Sequence, residues 1–339
     1  MKNVIIFKND RIGDLFVSIK TIEKILHKHN LDRIYFYFSH QNSKFSFLFS
    51  KINKITISMK LNIIERMRIF LFFLNNKIDS VYILKPKLFY FILAFIFRNT
   101  KFYGIVIKNN KGNRPPSFFQ KYLYKKVFID RTKLGKRKSS YDIQLSLLDD
   151  IKENTKITSS NLNLSNVFLL PDNYFFFHYK DNLFNKLLRW DLEKTNNFII
   201  ELSKLSENLV FSSEIFNSKI NNFFLNKYIT FDYVSKKIIK KNGIRPNIIF
   251  LKDIDGDQLF LAIKNAKKVI APEGMASHMA YFLKKKQYAL MHFNFNKKQD
   301  IIDQLISCKE WFPPENFNFI VLKKNLNTSI QKIKLRIKK

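Results

Sequence analysis

Short apolar runs that alternate with longer segments of mixed polarity are the feature that most restricts how this chain can fold. The first run, at residues 4–7, precedes a stretch of helical periodicity at residues 14–29, and a second run follows at residues 33–38. Further short runs lie at residues 80–84, 101–107, 174–178, 209–212 and 269–271, with helical stretches at 197–205 and 258–266. A repeated strand–helix–strand order favours an α/β fold with a largely parallel sheet.

The length of the chain predicts two domains, because 339 residues exceed what one hydrophobic core usually organises. A polar stretch rich in Ser and Asn at residues 155–171 precedes the aromatic run at 174–178, which places the boundary near Ser165. The expected domains are therefore residues 1–165 and 166–339. The last segment, residues 326–339, has helical spacing and can pack on either domain. Residues 109–114 are polar and contain Gly, so a surface loop is expected there.

A large excess of basic residues narrows the choice of partners. Lys and Arg number 60 against 27 Asp and Glu, a formal net charge of +33 that favours polyanions. Nucleic acid, an anionic bilayer and a phosphorylated substrate all fit, and a compositional bias toward Lys, Asn and Ile would produce the same surplus without a function. Hydrophobic residues make up 46% of the chain, too many for a disordered protein.

The number of cysteines and the lengths of the apolar runs indicate the cellular compartment in which the protein is expected. The single cysteine, Cys308, excludes an internal disulfide and a Cys-rich metal cluster, as expected in a reducing cytoplasm. The run at residues 4–7 is too short for the apolar region of a signal peptide. The longest apolar run, residues 88–97, falls short of the roughly 20 residues that a spanning helix needs. A buried core helix is expected there in preference to an interfacial helix.

The first polar motif, KNDRIGDL at residues 8–15, follows the first predicted strand and leads into a helix. Ligands of open α/β sheets bind at the carboxyl ends of strands, so a site is expected at this turn. Gly13 permits a tight backbone, and Asp14 can cap the helix or accept a proton from an attacking hydroxyl. No GxGxxG pattern is present, and an acidic group ahead of the helix would repel pyrophosphate, which argues against an oxidoreductase.

The second motif, APEGMASHMA at residues 271–280, follows a predicted strand and opens a helix at about Ser277. Small residues ahead of a helix expose backbone N–H groups, which together with the helix dipole can bind a diphosphate. His278 can add a hydrogen bond or a positive charge, or serve as a core or capping residue. The sequence therefore predicts a phosphate site in the second half of the chain.

Together the two motifs resemble the paired signatures of the heptosyltransferase family, glycosyltransferase family nine. The residues that carry the resemblance are Asp10, Arg11, Ile12, Gly13, Asp14, Pro272, Glu273, Gly274, Ser277 and His278. The resemblance implies a GT-B fold, in which two Rossmann-like domains face each other across a central cleft. It also implies an inverting, metal-independent transfer that needs no cofactor and uses ADP-heptose or a related nucleotide sugar as donor.

The resemblance further implies roles for individual residues. Asp14 would be the general base, with Asp10, Arg11 and Gly13 beside it on the acceptor side. The donor-binding residues of the second motif would be Glu273, Gly274, Met275, Ser277 and His278.

Two weaker matches lie between the motifs. The family carries a basic residue just before a Trp, near phosphate, and either Lys186 or Arg189 ahead of Trp190 can take that role, although neither has the usual offset. An ordinary helix face with solvated cations would look the same. Glu214 stands where the family has an acidic group near the ribose, or is a solvated loop residue. Glu273 replaces the Asp of many relatives, which would alter recognition of the sugar.

The function implied is heptose transfer to a lipopolysaccharide or lipooligosaccharide core acceptor by a cytoplasmic protein, peripheral on the inner face of the inner membrane. Basic clusters at residues 133–138, 284–286 and 334–339 would then bind the phosphates of the acceptor and an anionic membrane surface. Two alternatives stay open. One is a transferase of the same fold that uses another nucleotide sugar for O-antigen, capsule or glycoprotein, and the other is an inactive basic protein that binds membrane or nucleic acid.

The sequence does not favour binding of nucleic acid or of a metal ion. Nucleic acid is disfavoured as a partner, because no helix-turn-helix, RRM or zinc signature is present. Asp253, Asp255 and Asp257 alternate ahead of a predicted helix, where a role in helix capping is expected in preference to metal binding.

Overall fold

The computed structural model describes residues 3–49, 51–109, 112–132, 139–148, 164–213, 218–240, 245–292 and 318–337. These residues form two compact units, one from the described residues up to 148 and one from those after 163. Each unit is built on its own mostly parallel sheet, with helices in the connections between strands.

The sheet of the first unit has an uninterrupted parallel series of strands. Its members are β1 (Asn3–Lys8), β2 (Ile34–Ser39), β3 (Asn53–Ile57), β4 (Ile78–Ile83), β5 (Lys101–Asn109), β6 (Gly112–Arg114) and β7 (Lys125–Asp130). The order is β3-β2-β1-β4-β5-β7, with every neighbouring pair parallel, while β6 pairs antiparallel with the end of β5. The central strands β1 and β2 are almost continuously apolar and buried, as expected for the middle of a parallel sheet that is covered on both faces.

The helices of the first unit connect its strands, and the longer ones bury apolar side chains in its core. They are α1 (Ile12–Lys28), α2 (Ile63–Asn75), α3 (Leu88–Ile96), α4 (Ser117–Gln120) and α5 (Ser140–Leu145), with 3₁₀ turns at Leu31–Arg33, Asn42–Leu48 and Ser146–Leu148. The apolar run at residues 88–97 forms α3 and buries Tyr90, Phe91 and Leu93, so the expectation of a core helix is confirmed.

The expected surface loop at residues 109–114 is a hairpin instead. Strand β5 continues to Asn109, and β6 returns alongside it, with Asn109 opposite Gly112 and Ile107 opposite Arg114. Strand pairing uses backbone groups, so polar side chains at the end of a sheet do not prevent it. The positive φ of Gly112, 104°, suits a tight reversal of the chain.

The second unit is also built on a largely parallel sheet. Its strands are β8 (Tyr174–His178), β9 (Asn208–Ser212), β10 (Tyr228–Asp232), β11 (Lys237–Ile239), β12 (Arg245–Lys252), β13 (Lys268–Pro272), β14 (Lys286–Met291) and β15 (Phe319–Val321). The order is β11-β10-β12-β9-β8-β13-β14-β15, and among these strands only β11 pairs antiparallel. The predicted strands at residues 174–178, 209–212 and 269–271 are confirmed as β8, β9 and β13.

The helices of the second unit enclose an aromatic core. They are α6 (Leu192–Ser203), α7 (Ser218–Leu225), α8 (Gly256–Asn265), α9 (Met275–Phe282) and α10 (Leu326–Ile337), with a π-helical turn at Asn182–Leu187. Ile333 and Ile337 of α10 are buried in this core, so the last helix packs within the second unit. Among the described residues, no helix combines the length and apolar character needed to cross a bilayer.

Each sheet has a switch point, at which the chain continues from two neighbouring strands toward opposite edges of the sheet. In the first unit this point lies between β1 and β4, and in the second it lies between β8 and β13. The connections leave on opposite faces at such a point and open a crevice at the carboxyl ends of the two strands, where open α/β sheets bind ligands. Both sequence motifs begin at these crevices, one after β1 and one after β13.

Candidate functional site

Asp10 is a buried anchor at the β1/β4 edge. Its Oδ2 lies 2.9 Å from Nζ of Lys8, and the two side chains are only 4% and 3% exposed. Asn42 donates from Nδ2 to Oδ1 of Asp10 at 3.3 Å, and Ser39 donates from Oγ to its main-chain oxygen at 2.6 Å. Asp10 is therefore fixed by residues from the ends of β1 and β2.

Asp14 is the accessible carboxylate of the same edge. Its side chain is 19% exposed, and Oδ2 lies 3.9 Å from Nζ of Lys85, which is also 3.5 Å from Oδ2 of Asp10. Lys85 follows β4 and so reaches both aspartates across the switch point. The structure thus brings Asp10 and Asp14 together around a cation that the motif itself does not contain.

Two expectations about the first motif are corrected by the local backbone. The N-cap of α1 is Arg11, whose exposed side chain makes no capping hydrogen bond, and Asp14 lies in the first turn, so Asp14 is not the cap. Gly13 also lies within α1 and has no need of a left-handed backbone, since Gly112 and Gly274 are the glycines with positive φ among the described residues.

Asn9 connects this motif to the segment that precedes α2. Its Nδ2 donates to the oxygen of Ser58 at 2.8 Å, and its Oδ1 accepts from the hydroxyl of Tyr90 at 2.8 Å. Lys87 donates to the main-chain oxygens of both Asn9 and Met59. Burial lowers the pKa of Lys87 to about 8, although the charge of Asp10 opposes the shift.

Gly274 shapes the loop at the β8/β13 edge. Its φ of 145° and ψ of −151° lie in a region that is essentially restricted to glycine, and it is the N-cap of α9. Nζ of Lys180, which follows β8, lies 3.5 Å from the oxygen of Glu273. The same Nζ is 3.4 Å from where a Cβ on residue 274 would stand. The loop therefore needs glycine for its backbone and holds an ammonium group against it.

Glu273 and His278 form a pair across the first turn of α9. Oε1 of Glu273 lies 3.6 Å from Nε2 of His278, and His278 is buried while Glu273 is partly exposed. Burial alone would raise the pKa of Glu273, but the proximity of His278 and of the Lys180 charge outweighs it and lowers the pKa below its ordinary value. Glu273 is therefore an anion at neutral pH, held beside the loop.

The beginning of α9 offers backbone donors. Ser277 is buried, and its hydroxyl donates to the oxygen of Pro272 at 2.8 Å, which closes the loop ahead of the helix. Met275 is the first residue of α9 and is partly exposed. The first N–H groups of any helix lack acceptors within it and carry partial positive charge, so they attract an anion.

His178 is a neutral group beside Lys180. It ends β8, and its Nδ1 lies 2.9 Å from Oγ of Ser212 at the end of β9. Burial lowers the pKa of His178 to about 4, with a contribution from the charge of Lys180. His178 is therefore uncharged at neutral pH and can exchange hydrogen bonds without adding charge.

Of the remaining predicted donor residues, two are exposed side chains and one lies outside the described residues. Lys186 is exposed on the π-helical turn, and Arg189 is exposed with a φ of 56°. Trp190 is a core residue whose Nε1 donates to the oxygen of Lys324 at 2.8 Å. Glu214 lies outside the described residues, as does the basic cluster at 133–138. The cation that the structure brings to the second motif is Lys180.

One of the acidic residues around the start of α8 caps the helix, as predicted. Asp255 is the N-cap of α8 and accepts from the N–H of Gln258 at 3.2 Å, so the capping role is confirmed for it. Asp253 instead pairs with Lys252, at 3.4 Å. Within the described part of the chain, no group of three or more His, Cys, Asp and Glu side chains could hold a metal ion.

Known structures share this architecture although no sequence match supports it. No family model matches the chain, and no curated protein does. The structure of a glycosyltransferase of family nine from Veillonella parvula is similar at a TM-score of 0.60, with 13% identity, over 99% of this chain and 97% of that one. The chain has the GT-B fold. The fold that the two motifs implied is thereby confirmed.

Two further structures with the same fold show the range of activities that it supports. Escherichia coli heptosyltransferase WaaC with ADP-2-deoxy-2-fluoro heptose is similar at a TM-score of 0.60, with 11% identity, over 99% of each chain. The UDP-GlcNAc 2-epimerase of Methanocaldococcus jannaschii is similar at 0.55, with 14% identity, over 100% of this chain and 93% of that one. A GT-B fold by itself therefore does not decide between these chemistries.

Proposed function

We propose that this chain is an inverting glycosyltransferase that moves heptose or a related sugar from a nucleotide sugar to a lipopolysaccharide-type core acceptor. The observation that carries the proposal is the meeting of Lys180, Gly274 and the first turn of α9 at the β8/β13 switch point. A loop that needs glycine, a fixed ammonium group and the backbone donors of a helix start together suit a diphosphate.

The donor proposed is ADP-heptose. A heptosyltransferase of the same fold has been solved with ADP-2-deoxy-2-fluoro heptose, and it is similar over 99% of the chain. Glu273 is an anion beside the loop and suits the hydroxyl groups of a sugar, which it would hold by accepting their hydrogen bonds. Lys180 and the N-terminus of α9 would stabilise the charge that develops on the departing diphosphate, so the reaction needs no metal.

Asp14 is proposed as the general base. The oxygen of the acceptor hydroxyl bonds to the anomeric carbon as its proton passes to the Asp14 carboxylate. The bond from that carbon to the diphosphate breaks, and ADP leaves with the electron pair. Of the two motif aspartates, Asp14 is the one with exposure to reach a ligand, while Asp10 is enclosed by Lys8 and Asn42. Lys85, 3.9 Å from Oδ2 of Asp14, would orient its carboxylate.

A lipid-linked, phosphorylated acceptor suits the net charge of +33. We accordingly propose a cytoplasmic protein that is peripheral on the inner membrane. Attraction between basic side chains and an anionic leaflet amounts to about 1 kcal/mol for each side chain near the surface.

Thermal-shift measurements with ADP, UDP, GDP, CMP and their sugars test the proposal. At about 100 times its dissociation constant, a ligand that binds only the folded protein stabilises it by roughly 2.7 kcal/mol. A selective shift with ADP and ADP-heptose is expected, followed by release of ADP when a core acceptor is added. A preference for UDP or GDP would move the proposal to another sugar. No response to any nucleotide would overturn it.

A further inference from the structure

Helix α2 presents an apolar face away from the core of the first unit. The exposed apolar side chains on it are Ile63, Ile64, Met67, Leu71 and Leu74, each between 47% and 76% exposed. These five residues are named the α2 stripe. Only Ile69 and Phe73 of this helix are buried. A helix in a water-soluble domain normally shows the reverse pattern, with polar residues on its outer face.

The α2 stripe has a basic residue on each side. At about 100° per residue, its five members fall within an arc of about 100° on the helix surface. Arg66 lies on one side of that arc and Arg68 on the other, and both are exposed. The helix therefore has a buried face and an outward apolar stripe, and an arginine lies along each side of that stripe.

The only acidic residue of α2 does not offset this positive charge at the stripe. Glu65 caps the start of the helix, where its carboxylate accepts from the N–H of Ser58 at 2.6 Å and of Asn62 at 3.0 Å. Burial raises the pKa of Glu65, but these hydrogen bonds outweigh it and lower the pKa below 4.5. The carboxylate is thus held by backbone donors at the first turn, and within the described residues it forms no ion pair with Arg68, although the two residues stand at an i, i+3 spacing.

We propose that the α2 stripe docks on the surface of an anionic phospholipid bilayer, with its apolar side chains among the acyl chains and its arginines at the phosphates. Apolar patches rimmed by polar residues mark interaction surfaces. Helices with an apolar face and flanking basic residues lie in the membrane interface, because long cationic side chains extend to the headgroups. The inference rests on the proposed function only for the claim that the acceptor is lipid-linked.

Charge favours a bilayer over a second copy of this chain. A symmetric dimer brings the same patch of each subunit together, so Arg66 and Arg68 of one stripe would approach those of the other. An anionic bilayer instead meets the two arginines with opposite charge. Docking there also has a structural link to the candidate site. Asn9 of the first motif donates to Ser58 ahead of α2, and Lys87 donates to both Asn9 and Met59.

Vesicle co-sedimentation with phosphatidylglycerol–phosphatidylethanolamine and with phosphatidylcholine alone tests the docking. The variant Ile64→Asn/Leu71→Asn should bind the anionic vesicles roughly tenfold or more weakly, since each side chain loses its apolar burial. The control Val234→Asn/Ile238→Asn alters two apolar residues of the second unit that are 76% and 50% exposed, and it should bind as the wild type does. Arg66→Gln/Arg68→Gln should weaken binding to the anionic vesicles at low salt only.

A fluorescent reporter distinguishes insertion from simple attraction. In Met67→Trp, emission should shift to the blue and be quenched by brominated acyl chains, while Val234→Trp should show neither change. Equal losses in the stripe variant and its control, or an introduced indole that stays unquenched in bound Met67→Trp protein, would overturn the proposal. A self-association seen without lipid and lost in the stripe variant would assign the stripe to a second copy.

The nucleotide response separates this inference from the proposed function. Stripe variants that still show the ADP-dependent thermal shift but bind vesicles as the wild type does would refute the docking and leave the transferase proposal standing. Loss of vesicle binding only in the stripe variant, in a protein that responds to no nucleotide, would support the docking and reject the transferase.

Discussion

The ammonium group of Lys180 lies 3.5 Å from the main-chain oxygen of Glu273. The two residues follow neighbouring parallel strands, β8 and β13, at the point where the strand order of the second unit changes direction. A cation in this position faces the start of α9 and the glycine-dependent loop ahead of it. Several consequences for ligand binding and stability can be measured.

Replacing Lys180 by Met should weaken ADP binding. The substitution keeps most of the aliphatic stem and removes the charge, so it isolates the contact with phosphate. A hydrogen bond to a charged group contributes about 1.5–3 kcal/mol, which corresponds to a roughly tenfold to hundredfold higher Kd. Isothermal titration with ADP measures the change.

Lys186→Met and Arg189→Met are the matched controls for that measurement. Both side chains are exposed, and each of the two substitutions removes one positive charge, as Lys180→Met does. Affinity close to that of the wild type in these two variants would assign the phosphate contact to Lys180. A larger loss of ADP affinity in either control than in Lys180→Met would instead assign the phosphate contact to that residue, as its position ahead of Trp190 suggested.

Replacing Gly274 by Ala should destabilise the second unit and reduce ADP binding together. A Cβ at φ 145° and ψ −151° is strained, at a cost of about 1–3 kcal/mol. It would also come into contact with Nζ of Lys180, at 3.4 Å. Gly112→Ala, at φ 104° in the first unit with open space around its Cβ position, should lower stability while leaving ADP affinity unchanged. Denaturant unfolding and titration record the two effects.

Asn substitutions at the two motif aspartates should have different effects. Asp14→Asn should reduce turnover by roughly a hundredfold to ten-thousandfold, the usual contribution of a general base, and leave the ADP-dependent thermal shift intact. Asp10→Asn should lower the free energy of unfolding by about 3 kcal/mol, because Lys8 is left buried without its anion. An Asp14→Asn enzyme with normal turnover would remove this residue as the base.

The stability of the protein should fall between pH 6.5 and about 4 because of His178. Its pKa is lowered to about 4 in the fold from an ordinary 6.5, so in this interval the unfolded chain binds the proton and the folded chain does not. The contribution of His178 to the free energy of unfolding is fully present above pH 6.5. Its loss as the pH falls to about 4 amounts to roughly 3 kcal/mol at most.

Comparison with His178→Gln isolates this contribution, since Gln can still bond to Ser212 but does not titrate. The difference in unfolding free energy between the two proteins should shrink as the pH falls. The comparison is needed because Glu23, whose pKa is raised to about 7 by burial, changes stability in the opposite direction over an overlapping range. A difference that is constant with pH would contradict the neutral, buried histidine.

The sequence predicted the elements that carry the motifs because the signals involved are local. The run at residues 4–7 followed by a polar turn and a helical stretch defines β1, its loop and α1 with no knowledge of the partner strands. The same reasoning located β13 and α9 around residues 269–280. The capping role of Asp255 could be predicted because an Asp directly before a stretch of helical periodicity is a local signal.

Lys85 and Lys180 could not be found in this way, because their roles depend on which strands are neighbours. Lys85 approaches Asp14 only because β4 pairs with β1, and Lys180 approaches Glu273 only because β8 pairs with β13. Strand order is set by long-range packing, which one sequence does not reveal. The β5–β6 hairpin was mistaken for a loop since its pairing rests on backbone groups.

The charges around the first motif alternate in sign from Lys8 to Asp10 to Lys85 to Asp14, so that the four of them sum to zero. The surplus of +33 must then arise from other parts of the chain. Screening by salt acts over about 8–10 Å at ordinary ionic strength and weakens long-range attraction far more than contacts of 3–4 Å. Ionic strength is therefore expected to control how often the protein meets an anionic surface, while the proposed proton transfer to Asp14 should be insensitive to it.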